Sequence, residues 1–371
     1  MRLLFILTTA WWLMACAISS EKQDAMNPSY TSQETAEVKA SDNMEQLMAL
    51  AEAGNRRAMM TLAQYYDQKM KEKGGDALSL MWLRKAADSG LSDAMYELAK
   101  VYDFGDGIPE DNQQAVHWYQ QAADLGHVES MVNLGVIYDT GEGVEENNLK
   151  AMGYYLYAAK RDDPDAQYNL GLMYENGEGI SKDSKQAAYW YQLSAEQGDL
   201  NAMVNLGRLY HIGDGVPQSE QKARYWFQRA ARAGEPSAQY NLAGIFMSPE
   251  GADPDFAQAA RWYRQAAHAG IRPAMWQLAN MYRLGYGIDR DDRKAFRWTH
   301  KAAYSGVIPA QFQLGLMFLQ GDGTPVSQTL GVYWVNRAAH QGYPQAQAYI
   351  RMLIQQQADL GETVEPAAIA M

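Results

Sequence analysis

From about residue 44 onward, apolar and small residues alternate with polar ones in a pattern that returns every 36 positions. In the copy at 112–147, Ala115, Trp118, Tyr119, Ala122 and Ala123 stand at offsets of 0, 3, 4, 7 and 8. This spacing lines them along one face of an α-helix, here called helix A. Asp111 or Asn112 can cap its start through a side-chain oxygen, and Gly126 suits the left-handed turn that ends it. Met131, Leu134, Gly135 and Tyr138 then repeat offsets of 0, 3, 4 and 7 in a second helix, B, after a tight turn. Thr140-Gly141-Glu142-Gly143 closes helix B, because glycine supplies the positive φ that lets the chain turn into the next copy.

The tryptophan position recurs without a slip as Trp82, Trp118, Tyr154, Trp190, Trp226, Trp262, Trp298 and Trp334. The leucine of helix B keeps the same step from Leu62 to Leu314, with Ile350 last, and the residue after it is Ala or Gly until Arg351 breaks the series. That small residue is expected where two helix backbones approach closely. An aromatic ring follows the leucine by four residues, from Tyr66 to Phe318. Burying one such ring removes about 150–250 Å² from water, roughly 4–6 kcal/mol gross at 25 cal/mol per Å². Each copy must also offset the ordering entropy of its residues, so one helix pair cannot fold alone and a stack can. The pattern predicts an all-α fold, an α-solenoid of about nine helix-turn-helix copies over 44–355.

The residues A-x-x-W-Y-x-x-A-A-x-x-G, followed by L-G-x-x-Y-x-x-G-x-G-V as at 134–144, resemble the Sel1-like repeat, a relative of the tetratricopeptide repeat. Generic tetratricopeptide repeats run at about 34 residues and lack the G-x-G loop. Departures from the motif carry their own expectations. Gln46 stands at the tryptophan position of the first copy and Lys69-Met70-Lys71 at its G-x-G, as in a terminal cap. Asp162-Asp163-Pro164 replaces the turn glycine of the fourth copy. Met247-Ser248-Pro249-Glu250-Gly251, then Asp253-Pro254-Asp255, calls for a different loop in the sixth.

The start of the chain is of another kind. Arg2 precedes an apolar run over 3–14 that only Thr8 and Thr9 interrupt. Such a run is too short to span a hydrocarbon core of about 30 Å, and residues 1–15 are expected to be an export signal. Leu13-Met14-Ala15-Cys16 resembles a bacterial lipobox, which implies acylation of Cys16 after cleavage. Cys16 is the only cysteine, so no internal disulfide and no cysteine metal site can form. Ala15-Cys16-Ala17 also fits a signal-peptidase site, which would give a soluble periplasmic or secreted protein. By resemblance to Gram-negative lipoproteins, Ala17 in place of aspartate implies an outer-membrane anchor with the protein facing the periplasm. Residues 16–43, rich in Ser, Thr, Glu, Gln and Ala, are expected to be a flexible tether, and 356–371 a C-terminal tail.

Charge and candidate chemistry change this picture in one place. The net charge of −12 argues against general binding to nucleic acid or to an anionic membrane surface. No nucleotide-binding glycine loop, H-E-x-x-H pair or G-x-S-x-G elbow is present. His117, His127, His211, His268, His300 and His340 have no ligand spacing and are expected at surfaces or interfaces. Acids inside the G-x-G loops, such as Glu142 and Asp322, do not alternate as an EF-hand requires and are expected to be solvated. No catalytic residue, metal or cofactor is expected. The Trp and Tyr ladder is expected to be core and not a sugar-stacking platform.

Binding is then expected at the helix A positions that the repeat leaves free: one before the tryptophan, three after and six after, a stripe at offsets of 0, 4 and 7. In tetratricopeptide-like solenoids such a stripe would line the concave side. Residues 1–219 hold 17 Lys and Arg against 32 Asp and Glu, whereas 220–371 hold 15 against 12. The later stripe reads Tyr189, Leu193 and Glu196; Tyr225, Arg229 and Arg232; Arg261, Gln265 and His268; Arg297, Lys301 and Tyr304; Tyr333, Arg337 and His340. Its basic and aromatic members, Tyr189 included, are the expected binding residues. Arginine and tyrosine are common anchors of binding surfaces. The expectation is a non-enzymatic adapter of the bacterial cell envelope that docks an acidic protein on this stripe. The alternatives are a binder of peptidoglycan or anionic exopolysaccharide, and a β-lactam-binding or hydrolytic enzyme, for which the chain lacks paired cysteines and any nucleophile–base arrangement.

Overall fold

The structure, a computed structural model, describes residues 44–70, 75–248 and 253–359. The export signal, Cys16, the tether, Lys71, Pro249 to Gly251 and 360–371 lie outside them. Eighteen α-helices and no strand occur among the described residues. The chain divides into two compact units, Met1–Asp183 and Ser184–Met371. The first holds α1 (Met44–Glu52), α2 (Arg56–Met70), α3 (Gly75–Asp88), α4 (Ser92–Phe104), α5 (Asn112–Asp124), α6 (Val128–Thr140), α7 (Asn148–Ala159) and α8 (Pro164–Asn176). The second holds α9 (Ser184–Gln197), α10 (Leu200–Ile212), α11 (Glu220–Arg232), α12 (Pro236–Met247), α13 (Phe256–His268), α14 (Arg272–Leu284), α15 (Asp292–Tyr304), α16 (Ile308–Gln320), α17 (Gln328–His340) and α18 (Pro344–Asp359).

Odd-numbered helices are helix A and even-numbered ones helix B. Within each unit every helix packs on its neighbours in the chain, and helix B packs more extensively on the next helix A than on its own. The seam of one copy against the next is thus the more closely packed of the two, as stacking requires.

Helix starts are set by a polar residue that recurs every 36 positions. Asp111, Asn147, Ser219, Asp255, Asp291 and Ser327 each accept the backbone N–H three residues on, satisfying an otherwise orphaned donor. Asp111 and not Asn112 is therefore the cap of α5. Helix B ends in the left-handed region, as at Gly141 (φ 73), whose N–H returns to Ile137 O. Two copies depart where the sequence departs. Asp162 takes the left-handed turn (φ 64) that glycine takes elsewhere, Asp163 caps α8 and Pro164 begins it. Ser248 ends α12 at φ −145 and ψ 69, outside the left-handed region that closes α6 at Gly141.

The core follows the ladder. Leu98, Leu134, Leu170, Leu206, Leu242, Leu278 and Leu314 are fully buried, with the alanines of helix A around them. The small residue beside that leucine has a more specific role than the backbone approach expected for it. A Cβ at Gly135 would collide with the Tyr155 ring, and one at Gly207 would lie 2.8 Å from the Phe227 ring. At Gly315 the backbone does approach, since a Cβ there would lie 2.9 Å from Gly331 O. Between the two helices of a copy, a buried glutamine donates to the last turn of helix A: Gln167 to Ala159 O at 3.3 Å and Gln311 to Ala303 O at 3.2 Å.

The second glycine of G-x-G lets the loop lie on the preceding helix A. A Cβ at Gly323 would collide with the Asp292 carbonyl at the start of α15. The boundary expected at 355/356 falls inside α18, which continues to Asp359 because Gln355, Gln356, Gln357 and Ala358 offer no helix breaker. No helix among the described residues is long and apolar enough to cross a membrane.

Candidate functional site

The second unit's stripe is carried by α9, α11, α13, α15 and α17. Tyr189, Tyr225, Arg232, Arg261, His268, Arg297, Lys301, Tyr304, Tyr333, Arg337 and His340 are exposed, and Arg229 is half-buried. The repeat therefore brings all twelve expected residues to solvent on successive A helices.

The tryptophans between these residues are shared by core and surface. Trp226, Trp262 and Trp334 are buried, while Trp190 and Trp298 are only half-buried. Their rings carry four of the stripe's cations. Arg229 lies 5.1 Å from the Trp226 ring and 5.9 Å from Tyr225, and Arg261 lies 5.7 Å from Trp262. Lys301 sits 4.6 Å from Trp298, and Arg337 sits 5.3 Å from Trp334. The tyrosine before each tryptophan meets it edge-on: Tyr189 on Trp190 at 5.0 Å, Tyr225 on Trp226 at 5.0 Å and Tyr333 on Trp334 at 5.3 Å. Arg337 also donates to the Tyr333 hydroxyl at 2.9 Å. None of Arg229, Arg232, Arg261, Arg297, Lys301 and Arg337 forms an ion pair with a described residue. The charges of Arg229, Arg261, Lys301 and Arg337 are held over rings and left available.

Neighbouring copies touch through the same rings. His268, at the end of α13, packs edge-on against Trp298 at 5.1 Å, and Tyr304, one repeat later, packs on Trp334 at 4.9 Å. Tyr304 is also stacked on His300 at 4.3 Å and 28°. Burial lowers the His300 pKa, so this ring is neutral at pH 7. The sequence assigned the tryptophans to the core alone and placed His300 only at a surface or interface, with no partner named. The i, i+4 spacing of His300 and Tyr304 was the available signal.

The first unit's stripe is also exposed but mixed: Met81, Lys85 and Asp88; His117, Gln121 and Asp124; Gly153, Tyr157 and Lys160. Lys85 lies 4.3 Å from the Trp82 ring, repeating the design. His127 is no surface histidine. Its Nδ1 accepts the Ser130 N–H at 3.2 Å as the cap of α6, with its ring stacked on Tyr96 at 4.7 Å. Among the described residues no group of three or more His, Cys, Asp and Glu is placed to hold a metal ion.

The Sel1 repeat profile matches eight consecutive segments, 57–91, 92–127, 128–163, 164–199, 200–235, 236–271, 272–307 and 308–343. Each segment takes a helix B with the following helix A, so the nine A–B pairs and the eight matched segments describe the same helices, with α1 and α18 left as ends. The chain is similar to the structure of c5321, a protective antigen of uropathogenic Escherichia coli with an SLR fold. The identity is 29% over 85% of this chain and 68% of that one, with a TM-score of 0.80. It is also similar to a Sel1 repeat protein from Oxalobacter formigenes, at 27% identity over 88% of this chain and 96% of that one, with a TM-score of 0.67. No curated protein matches the chain.

Proposed function

Because the chain belongs to the Sel1-repeat family, whose solenoids are typically protein-interaction scaffolds, we propose that it is an adapter of the bacterial cell envelope that docks an acidic protein on the helix A stripe of its second unit. The observation that carries the reading is a row of exposed or half-buried cations from Arg229 to Arg337, none ion-paired with a described residue and four of them (Arg229, Arg261, Lys301 and Arg337) over rings, in a chain whose net charge is −12. Stacking holds each long side chain in one region, so less freedom is lost when a carboxylate arrives. The mechanism is binding by display: fixed spacing, aromatic and arginine anchors, and no covalent chemistry.

The apolar run and Cys16 support export and a lipid anchor on the outer membrane facing the periplasm. The Escherichia coli relative's description as a protective antigen suits a protein met outside the cytoplasm. A sugar polymer, the alternative ligand, could stack on the exposed tyrosines, but the cations over Trp226, Trp262, Trp298 and Trp334 favour a ligand that brings carboxylates. Two experiments test the proposal. Crosslinking from envelope membranes is expected to recover a protein partner whose binding falls about tenfold or more, and loses its salt dependence, in the triple variant Arg229→Glu, Arg261→Glu, Arg297→Glu. An unchanged affinity sinks the stripe as the docking face. Cys16→Ser is expected to release the protein from membranes into the soluble fraction, and retention on the membrane refutes the lipid anchor.

A further inference from the structure

Two sets of residues in the second unit repeat one arrangement at a step of 36: His268, Trp298 and Lys301, then Tyr304, Trp334 and Arg337. In each, the last residue of one helix A meets the tryptophan of the next edge-on, and a cation three residues after that tryptophan lies over its ring. The second set is the fuller one. Tyr304 is 67% exposed although His300 stacks on one side and Trp334 closes another. Tyr333 is 42% exposed, meets Trp334 edge-on and accepts a hydrogen bond from Arg337. The result is two open tyrosine rings on a buried tryptophan, with a guanidinium over that tryptophan and bonded to Tyr333, and Lys301 one turn before Tyr304. No stripe position from Tyr225 to His340 carries a carboxylate.

We propose that the cluster of Tyr304, Tyr333, Trp334 and Arg337 is the anchor of the docking surface, and that it takes an acidic segment of a partner protein bearing one aromatic or long apolar side chain. The inference rests on the scaffold reading above and narrows it. The apolar side chain covers the Tyr304 and Tyr333 rings, which are rigid and lose little entropy on contact. Flanking carboxylates meet Arg337, whose stacking and bond to Tyr333 leave its remaining N–H donors outward, and Lys301. A cation-rich partner is excluded by charge and a purely apolar one by the unpaired cations it would bury. Arg229 and Arg232, two to three repeats away, add steering but not the anchor.

The test is fluorescence anisotropy of the full chain with a fluorescein-labelled twelve-residue peptide of alternating Glu and Ser with one central Phe. Its controls are the same peptide with Gln for Glu and with Ser for Phe. Wild-type protein is expected to bind the acidic Phe peptide at least tenfold more tightly than either control. Tyr304→Ala and Arg337→Ala are each expected to weaken it tenfold or more, Tyr304→Phe to retain it, and Arg229→Ala with Arg232→Ala to weaken it less than threefold. Tyr304→Phe keeps the ring and guards against a folding defect, which the melting curve of each variant also reports. No binding to wild type, equal binding of the Ser-for-Phe peptide, equal loss in the Arg229 and Arg232 variant, or equal competition by polygalacturonate overturns the proposal. If a crosslinked partner is still lost in the triple charge reversal while the peptide fails, the scaffold reading stands without this anchor. If no protein partner is recovered at all, the scaffold reading itself falls.

Discussion

His127 shows how one residue can depart from its position in the repeat. At that position Asn55, Asp163, Asp199 and Glu235 cap helix B with a side-chain oxygen, whereas His127 does so with Nδ1. An accepting Nδ1 requires the neutral ring, with its proton on Nε2, which lies 3.7 Å from Asp93. Burial holds its pKa below the ordinary histidine value of about 6.5, against the opposing pull of the Glu129, Asp93 and Glu97 carboxylates. The folded form therefore binds the proton more weakly than the unfolded chain. The stability the cap contributes is present above the unfolded value and is lost as pH falls through the folded one. A cap of this kind is worth about 1 kcal/mol. The melting temperature of His127→Asn is expected to fall less than that of wild type between about pH 7.5 and pH 5; parallel losses would refute the role. A glycine pair makes the same point for the backbone. Gly306 (φ +96) has nothing within 4 Å of a Cβ, so Gly306→Ala meets only the left-handed strain, about 1 kcal/mol. Gly323→Ala adds a collision with the Asp292 carbonyl, which cannot move aside as a side chain can, and is expected to lower the melting temperature at least twice as far.

At the scale of the element, each helix A has one face committed to the core and one left free. In α15 the committed face holds Ala295, Thr299, Ala302 and Ala303, and the free face holds Arg297, Lys301 and Tyr304. The period of 36 aligns both faces from copy to copy, so the exposure of the stripe is legible in the sequence. What those side chains touch is not. The offset of three between Trp298 and Lys301 permits a cation over a ring, yet the same offset also permits a side chain pointing into water. Helix starts were legible with one ambiguity, Asp111 against Asn112, which the hydrogen bond to Gln114 N settles. Asp111→Ala is expected to cost about 1 kcal/mol, read as a lower melting temperature, and Asn112→Ala less, since its side chain does not cap. Equal effects would reject the assignment.

For the whole molecule, stability comes from seams between copies, so the ends matter more than in a closed core. α18 covers Val335 and Ala338 on α17, together with Ile308, Phe312 and Leu319. Ending the chain after Tyr343 is expected to uncover this cluster, raising binding of an apolar dye and lowering the melting temperature; an unchanged dye signal would show that α18 is no cap. The sequence by itself determined the all-α stack, the repeat length, the caps and turns, the irregular fourth and sixth copies and the positions free to face solvent. These follow from periodicity, because a helix converts spacing directly into direction. Tertiary structure alone decided that the tryptophans serve core and surface at once, that His268 and Tyr304 reach the next copy's ring, that Gly135 and Gly207 of helix B each receive a ring from the next helix A, and that His127 is a neutral cap. Each depends on a contact between residues on different helices, or on a proton position set by burial, and a spacing rule within one helix does not carry that information.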